Sequence, residues 1–172
     1  MGVSIYIADK DRNPIDDSRL PGPHWTYSNW GMFSSGIDRA LKQSYVWATE
    51  ARNEAREYWE QDCKKGYDDD GYALSEFERL SHEVKRIASL KDFWAGSDVW
   101  AGSDDGASCV WRFNSKAKVI DCLTEALIVD AYDEFDDDYV CLKRLAHCLR
   151  YLTAHEGDIV YVAFNPHSSE RV

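Results

Sequence analysis

The sequence predicts an α+β fold in which a small β-sheet is covered by about four helices within a single domain. Strand patterns occur near both ends of the chain and in its interior, and helical patterns, mostly in pairs, fill the intervals between them. The length of 172 residues fits one domain, and a hydrophobic fraction of 44% supplies enough apolar surface for a core. Because chain ends often lie close together, we expect the two terminal strands to be neighbours.

The first half of the chain predicts two short strands and two long helices. Residues 3–8 alternate in hydrophobicity as a half-buried strand does, and residues 25–27 place aromatic side chains at strand spacing. A helical stripe follows Ser34 and Ser35, either of which can supply the N-cap of a helix of about seven turns. Residues 75–78 (SEFE) form a capping-box pattern, which predicts the start of the second helix.

The second half predicts a strand, two helices and a final strand. Residues 108–113 have a strand pattern, and residues 158–164 are rich in β-branched and aromatic side chains. The third helix is predicted from a stripe of apolar residues: Val119, Leu123, Ala126 and Leu127. The fourth helix is predicted from Cys141, Leu145, Cys148, Leu149 and Leu152. Gly157 is expected to end it.

The net charge of −11 restricts the partners that the protein can bind directly. Acidic side chains are clustered at residues 68–70, 104–105 and 130–138, and the last of these runs contains six of them and no basic residue. Such a surface repels the phosphates of nucleic acids and attracts basic surfaces or divalent cations. We therefore expect no direct binding of nucleic acid.

The cysteines and the N-terminal segment predict a cytoplasmic protein. The five cysteines are odd in number and form no CxxC pair, and most lie among apolar residues, as buried thiols in a reducing compartment do. Residues 1–13 contain acid within the first ten positions and no long apolar run, so we expect neither a signal peptide nor a membrane span.

Motifs for common enzymes and cofactors are absent from the sequence. It contains no GxGxxG, P-loop or GxSxG pattern, so it predicts no nucleotide cofactor and no catalytic residue. An EF-hand register with Gly71 at loop position 6 would put Gly66 at position 1 and Phe77 at position 12, where calcium needs carboxylates. A divalent cation bound in one of the Asp-Gly loops is left as a separate hypothesis.

The acidic run at residues 133–139 has two interpretations. The simpler one is a solvated loop, whose carboxylates also favour the N-terminus of the helix that begins near Tyr139. The alternative is a binding face for a basic partner, in which aromatic anchors lie inside an acidic field. Its candidate residues are Asp133, Glu134, Phe135, Asp136, Asp137, Asp138 and Tyr139.

The five residues WAGSD occur twice, beginning at Trp94 and at Trp100. In an extended chain the two tryptophans would lie about 20 Å apart, which is too far for both to hold one small ligand. Gly-Ser-Asp follows each of them and favours a turn, so we expect each half to bend and return its tryptophan to the core as an anchor. The alternative is that both tryptophans belong to a partner-binding surface.

The negative charge, the acidic run with its aromatic residues and the missing enzyme motifs favour a non-enzymatic interaction protein. Such a protein binds, and can inhibit, a basic protein partner, as immunity and anti-defence proteins do. A second hypothesis is a small-ligand protein or an enzyme with a pocket near the start of the long helix. Imidazole beside aromatic side chains can bind a planar or sugar-like ligand, although a polar rim on a core cluster is the simpler interpretation. The candidate residues of this pocket are His24, Trp25, Tyr27 and Trp30.

Four short motifs follow one another along the chain. They are MGVSIY at the N-terminus, HWTYSN before the long helix, YDDDGYALSEFE before the second helix, and HEG before the last strand. In these motifs the chain resembles small uncharacterised proteins of bacteria and their phages or mobile elements that begin MGxxIY and carry an HWxYS segment. The resemblance implies a bacterial or phage setting and supplies no catalytic residues.

Overall fold

The computed structural model describes residues 3–8, 25–26, 30–63, 70–96, 98–102, 109–133 and 142–166. Within these ranges the protein has an α+β fold that is mostly helical. The strands are β1 (Val3–Ala8), β2 (Trp25–Thr26), β3 (Asp98–Gly102), β4 (Cys109–Phe113) and β5 (Val160–Pro166). The helices are α1 (Trp30–Tyr58), which continues as a π-helical turn (Trp59–Cys63), α2 (Asp70–Ala95), α3 (Lys116–Asp133) and α4 (Leu142–Ala154).

The described strands form one antiparallel sheet in the order β2-β1-β5-β4-β3. All six residues of β1 pair with β5, which confirms that the two terminal strands are neighbours. The strands predicted at residues 3–8, 25–27, 108–113 and 158–164 are confirmed, with boundaries that differ by at most two residues. β3 was not predicted, because Gly96 before it and Gly102 at its end favour turns.

The core lies between one face of the sheet and the helices. Trp111 and Phe113 of β4 lie opposite Val162 and Val160 of β5, so these four side chains point from the same face of the sheet into the core. All four helices contribute buried side chains to the same cluster, including Ile37, Leu41, Leu90, Val119, Leu123, Ala126, Leu145, Cys148 and Leu152. The apolar stripes predicted for α3 and α4 are therefore confirmed, except that Cys141 lies outside the described residues.

Two of the predicted helix starts are wrong. α1 begins at Trp30, so Ser34 and Ser35 lie inside the helix and do not cap it. α2 begins at Asp70, so the capping-box pattern at residues 75–78 also lies within a helix. Such a pattern caps a helix only where the preceding chain is non-helical, and here the residues before it are already helical.

The start of α3 and the end of α4 are joined by hydrogen bonds. Ser115 caps α3, since its Oγ accepts a hydrogen bond from the backbone N–H of Lys118 at 3.3 Å. The ammonium of Lys116 donates to the carbonyl oxygen of His155 at 2.7 Å, and its backbone N–H donates to that of Asp158, also at 2.7 Å. Gly157 has a φ of +100° just past α4, which confirms the predicted helix stop.

Candidate functional site

A partly buried polar junction, formed by Ser44, Glu83, Arg86 and Glu125, joins three helices. The side chain of Glu125 on α3 is buried, and its Oε2 accepts a hydrogen bond from the Ser44 hydroxyl of α1 at 2.9 Å. Its Oε1 accepts a hydrogen bond from the guanidinium of Arg86 on α2. Arg86 also donates to both oxygens of Glu83, at 2.5 and 3.0 Å.

These contacts shift the pKa of two groups and give the junction its structural role. The hydrogen bonds to Glu83 and Glu125 raise the pKa of Arg86, and Arg86 lowers the pKa of Glu83. Both carboxylate oxygens of Glu125 have a donor, as a buried charge requires. The junction therefore fixes the register of α1, α2 and α3 and leaves no carboxylate oxygen of Glu125 without a partner.

An open cleft of about 440 Å³ lies between the first turns of α1 and the last turns of α2. Its polar lining consists of Ser34, Ser35, Asp38, Lys42, Lys91 and Asp92. The ammonium of Lys42 lies 2.7 Å from Oδ2 of Asp38, and that of Lys91 lies 4.2 Å from the centroid of the Tyr45 ring. Two amines and two carboxylates in one cleft suit a small polar ligand that carries both charges.

Trp94 anchors the end of α2 to the core beside this cleft. Its side chain is 3% exposed and stacks on Phe113 with ring centroids 5.2 Å apart. Its indole Nε1 donates a hydrogen bond to the carbonyl oxygen of Ser34 at 3.1 Å. The predicted anchoring of Trp94 is confirmed, and its assignment to a partner-binding surface is corrected, because a side chain so deeply buried has no area to offer a partner.

The turn predicted after the first WAGSD tryptophan is confirmed, since Gly96 lies in a turn between α2 and β3, whereas residues 103–104 of the second copy lie outside the described residues and their turn stays a prediction. The first copy begins on α2, because Trp94 precedes the last helical residue, Ala95. The second copy begins inside β3, where Trp100 is the central residue of the strand. The side chain of Trp100 lies outside the described residues, so its assignment stays a prediction. The two tryptophans lie on different elements and do not form one loop.

The acidic run connects two helix ends that lie close together. α3 ends at Asp133 and α4 begins at Leu142, so residues 134–141, here called the acidic connection, link them. The backbone N–H of Leu142 donates a hydrogen bond to the carboxylate of Asp130, one turn before the end of α3. Partial burial raises the pKa of the Asp130 carboxyl, and this hydrogen bond opposes that shift.

Most of the candidate residues fall outside the described part of the chain. For the partner face, these are Glu134, Phe135, Asp136, Asp137, Asp138 and Tyr139. Asp133 is the last residue of α3, and its side chain is not among those described. For the ligand pocket, His24 and Tyr27 lie outside the described ranges, whereas Trp25 belongs to β2 and Trp30 begins α1. Both sites stay predictions.

The described side chains include two cysteines and possible metal ligands. Cys122 and Cys148 are free, buried thiols, as the sequence predicts for most of the cysteines. Among the described side chains, no three of His, Cys, Asp or Glu converge to hold a metal ion. Residues 68–69 and 104–105 of the Asp-Gly loops lie outside that set. The divalent-cation hypothesis therefore stays open, and a calcium titration followed by thermal melting tests it.

Comparison with known proteins finds no match to this chain, whether among protein families, curated proteins or solved structures. The resemblance to small bacterial and phage proteins therefore stays a prediction. In the ranges that the structure covers, no helix is both long enough and apolar enough to cross a membrane. Sequence reasoning missed the cleft and the polar junction, because each joins residues that are far apart in the chain.

Proposed function

We propose that this protein is a non-enzymatic, acidic interaction protein that binds, and can inhibit, a basic protein partner through the acidic connection. The observation that carries the proposal is the hydrogen bond between Asp130 and Leu142. It places the start of α4 beside the last turn of α3, and these are the two helices that flank the acidic connection. The described helix ends on either side of the run therefore lie close together.

The residues of the acidic connection and of the helix ends beside it suit a partner with a basic surface. Residues 130–138 carry six acidic side chains and no basic one, and such a field speeds encounter with cations and selects against acidic partners. The Leu142 side chain is 45% exposed at the root of the connection, and Phe135 and Tyr139 lie within it. Apolar and aromatic anchors inside a charged rim are typical of interaction surfaces.

We also propose a cytoplasmic location and a single domain in which the helices cover the sheet. The free thiols of Cys122 and Cys148 support a reducing compartment. One continuous core cluster that draws on all four helices and on β4 and β5 supports the single domain.

The test is affinity capture from host lysate at low and at raised salt, with the eluted proteins identified by mass spectrometry. A basic protein retained at low salt and released as salt rises is the expected result. The D136N/D137N/D138N variant, here the run variant, should retain less of it while keeping the wild-type melting temperature. Capture that is unchanged in the run variant contradicts the proposal.

A matched control separates the position of the charges from their number. The control variant, D121N/E156Q/D158N, also removes three negative charges, but from exposed positions outside the acidic connection. If the connection binds the partner, the control variant retains the partner more strongly than the run variant does. Equal losses in both variants would show that net charge alone governs capture.

A second candidate function is binding of a small ligand in the cleft between α1 and α2. The cleft begins four residues after Trp30, so it lies near the predicted aromatic pocket, and it presents Lys42 and Lys91 beside two carboxylates. A thermal-shift screen of small zwitterionic and sugar-like compounds tests it. Lys91→Met and His24→Ala should each weaken any compound found, and full affinity in both variants rejects this candidate.

A further inference from the structure

The halves of α1 and α2 remote from the sheet extend beyond the core as a two-helix arm. We call residues 49–63 and 70–83 the acidic arm. Buried packing between the two helices reaches Ala48 on α1 and Val84 on α2. Of the arm's described side chains, only that of Ala73 is buried. At 1.5 Å per residue the arm is about 22 Å long, and helices of this kind gain most of their stability from packing an apolar face.

Large apolar side chains are exposed where the two helices of the arm approach the connection at residues 64–69. Tyr72 is 74% exposed, and Tyr58 and Leu74 are 43% and 39% exposed. Exposed tyrosines grouped at one end of an element are more informative than scattered apolar residues, since tyrosine is enriched at the centres of interfaces. The arm therefore offers contact area that the described fold does not use.

The charge of the arm identifies the kind of partner that fits it. Its two segments contain nine acidic and three basic residues, a net charge of −6, which is more than half of the −11 of the whole chain. Two of the three arginines are bonded within their own helices, Arg56 to Glu60 at 3.1 Å and Arg79 to Glu76 at 2.6 Å. These arginines neutralise their neighbours and leave the remaining acid uncompensated by the arm itself.

A stripe of like charge runs along the arm on α1. Glu50, Glu54 and Glu57 are spaced i, i+4 and i+7, which places them on one face, and all three are exposed. Among the described residues, none of the three forms an ion pair. Like charges at this spacing destabilise a helix by about 0.2–0.5 kcal/mol per pair. Cations from a partner would relieve that repulsion.

We infer that the acidic arm is a docking surface for a basic amphipathic helix of a partner protein, which packs as a third helix against α1 and α2. The inference rests on the proposed function and adds a second contact surface to it. A helix laid on the arm would cover exposed tyrosines such as Tyr72 with its apolar side and meet the glutamates with its cations. A second copy of this chain fits the arm poorly, because two arms of charge −6 repel each other.

The probe for this inference is a fluorescent 18-residue peptide with lysines on one helical face and leucines on the other. Binding is measured by anisotropy at low and at raised salt. E50Q/E54Q/E57Q should weaken binding about tenfold at low salt, as the loss of three exposed ion pairs predicts. This variant removes helix repulsion, so its fold should survive, and circular dichroism checks that.

Two further variants make the result specific to the arm. The control variant D121N/E156Q/D158N, with the same change in charge, should bind the peptide within about twofold of the wild type, since these exposed charges lie outside the arm and salt screens such charges. Tyr72→Ser should weaken binding roughly fivefold or more without any change in charge, as the loss of an interface anchor does.

Each remaining outcome overturns the arm as the docking surface. Absence of peptide binding, or equal losses in the arm and control variants, rejects it outright. Weakening in the run variant D136N/D137N/D138N alone rejects the arm and leaves the proposed function in place, which lysate capture tests separately. A dimer in light scattering that Tyr72→Ser dissociates would assign the arm to a second copy of this chain instead.

Discussion

Arg86 on α2 and Glu125 on α3 form an ion pair between residues that are 39 positions apart in the sequence. The second oxygen of Glu125 accepts a hydrogen bond from Ser44 on α1, so one buried carboxylate joins three helices. The pair lies close to Val84 and Ile87, which belong to the small buried cluster between α1 and α2 at the base of the acidic arm. The direction of the arm relative to α3 therefore depends on this contact.

Glu125→Ala should lower the free energy of unfolding by about 1–3 kcal/mol, because it leaves the Ser44 hydroxyl and one side of Arg86 without an acceptor. Glu83→Ala removes a more exposed partner of the same arginine and should cost about 0.5 kcal/mol or less. Urea denaturation of both variants measures the difference. Equal losses in the free energy of unfolding would show that Glu125 contributes no more to stability than Glu83 does.

Trp94→Ala should destabilise the protein by about 3–5 kcal/mol, because it removes a buried indole from the core. Trp94→Phe keeps the packing on Phe113 and loses the hydrogen bond to the Ser34 carbonyl, so its cost should be nearer to about 1 kcal/mol. Guanidinium denaturation distinguishes the two variants. A loss below about 1 kcal/mol for Trp94→Ala would contradict its role as an anchor.

Burial, with a smaller contribution from Asp121 and Glu125, raises the pKa of the Cys122 thiol from 9.0 to about 12. Since the folded protein favours the neutral thiol, its stabilising contribution is complete below pH 9 and is lost as the pH rises towards 12. A thiol reagent at pH 8 should label Cys122 only after unfolding. Rapid labelling of Cys122 in the native protein, followed by mass spectrometry of peptides, would contradict this prediction.

Gly157→Ala should destabilise the end of α4, because a φ of +100° is unfavourable for a residue with a Cβ atom. A Cβ at this position meets no atom within 4 Å, so the cost comes from the backbone conformation and not from a clash. A loss of about 1–2 kcal/mol lowers the Tm by roughly 2–8 °C. Gly157→Asn should lose less, since asparagine tolerates this conformation better. Equal Tm values for the two variants would refute the backbone argument.

Local patterns in the sequence were sufficient to predict most of the elements. The alternation at residues 3–8 and the β-branched residues near Val160 predicted the terminal strands, and their pairing followed from the proximity of chain ends. The stripe from Val119 to Ala126 predicted the buried face of α3. These predictions succeed because each depends on neighbours within one or two turns of the same element.

The helix boundaries and the strand β3 could be assigned only from the tertiary structure. Ser34 and residues 75–78 have the chemistry of caps, and only the helical path of the chain before them decided against that role. Glycines at both ends of the segment that contains Trp100 favoured turns, yet pairing with β4 makes it a strand. In each case contacts beyond the local segment outweighed the local preference.

The sequence by itself determined the fold class, the acidic surface, the missing enzyme motifs and most of the helix faces. Tertiary structure alone decided that Glu125 is buried, that Arg86 and Ser44 are its partners, and that two lysines of separate helices share a cleft. It also decided that α1 and α2 extend past the core as an acidic arm. Hydrophobic period shows which face of a helix is buried, but the partner of that face, and the place where burial ends, depend on how distant elements pack.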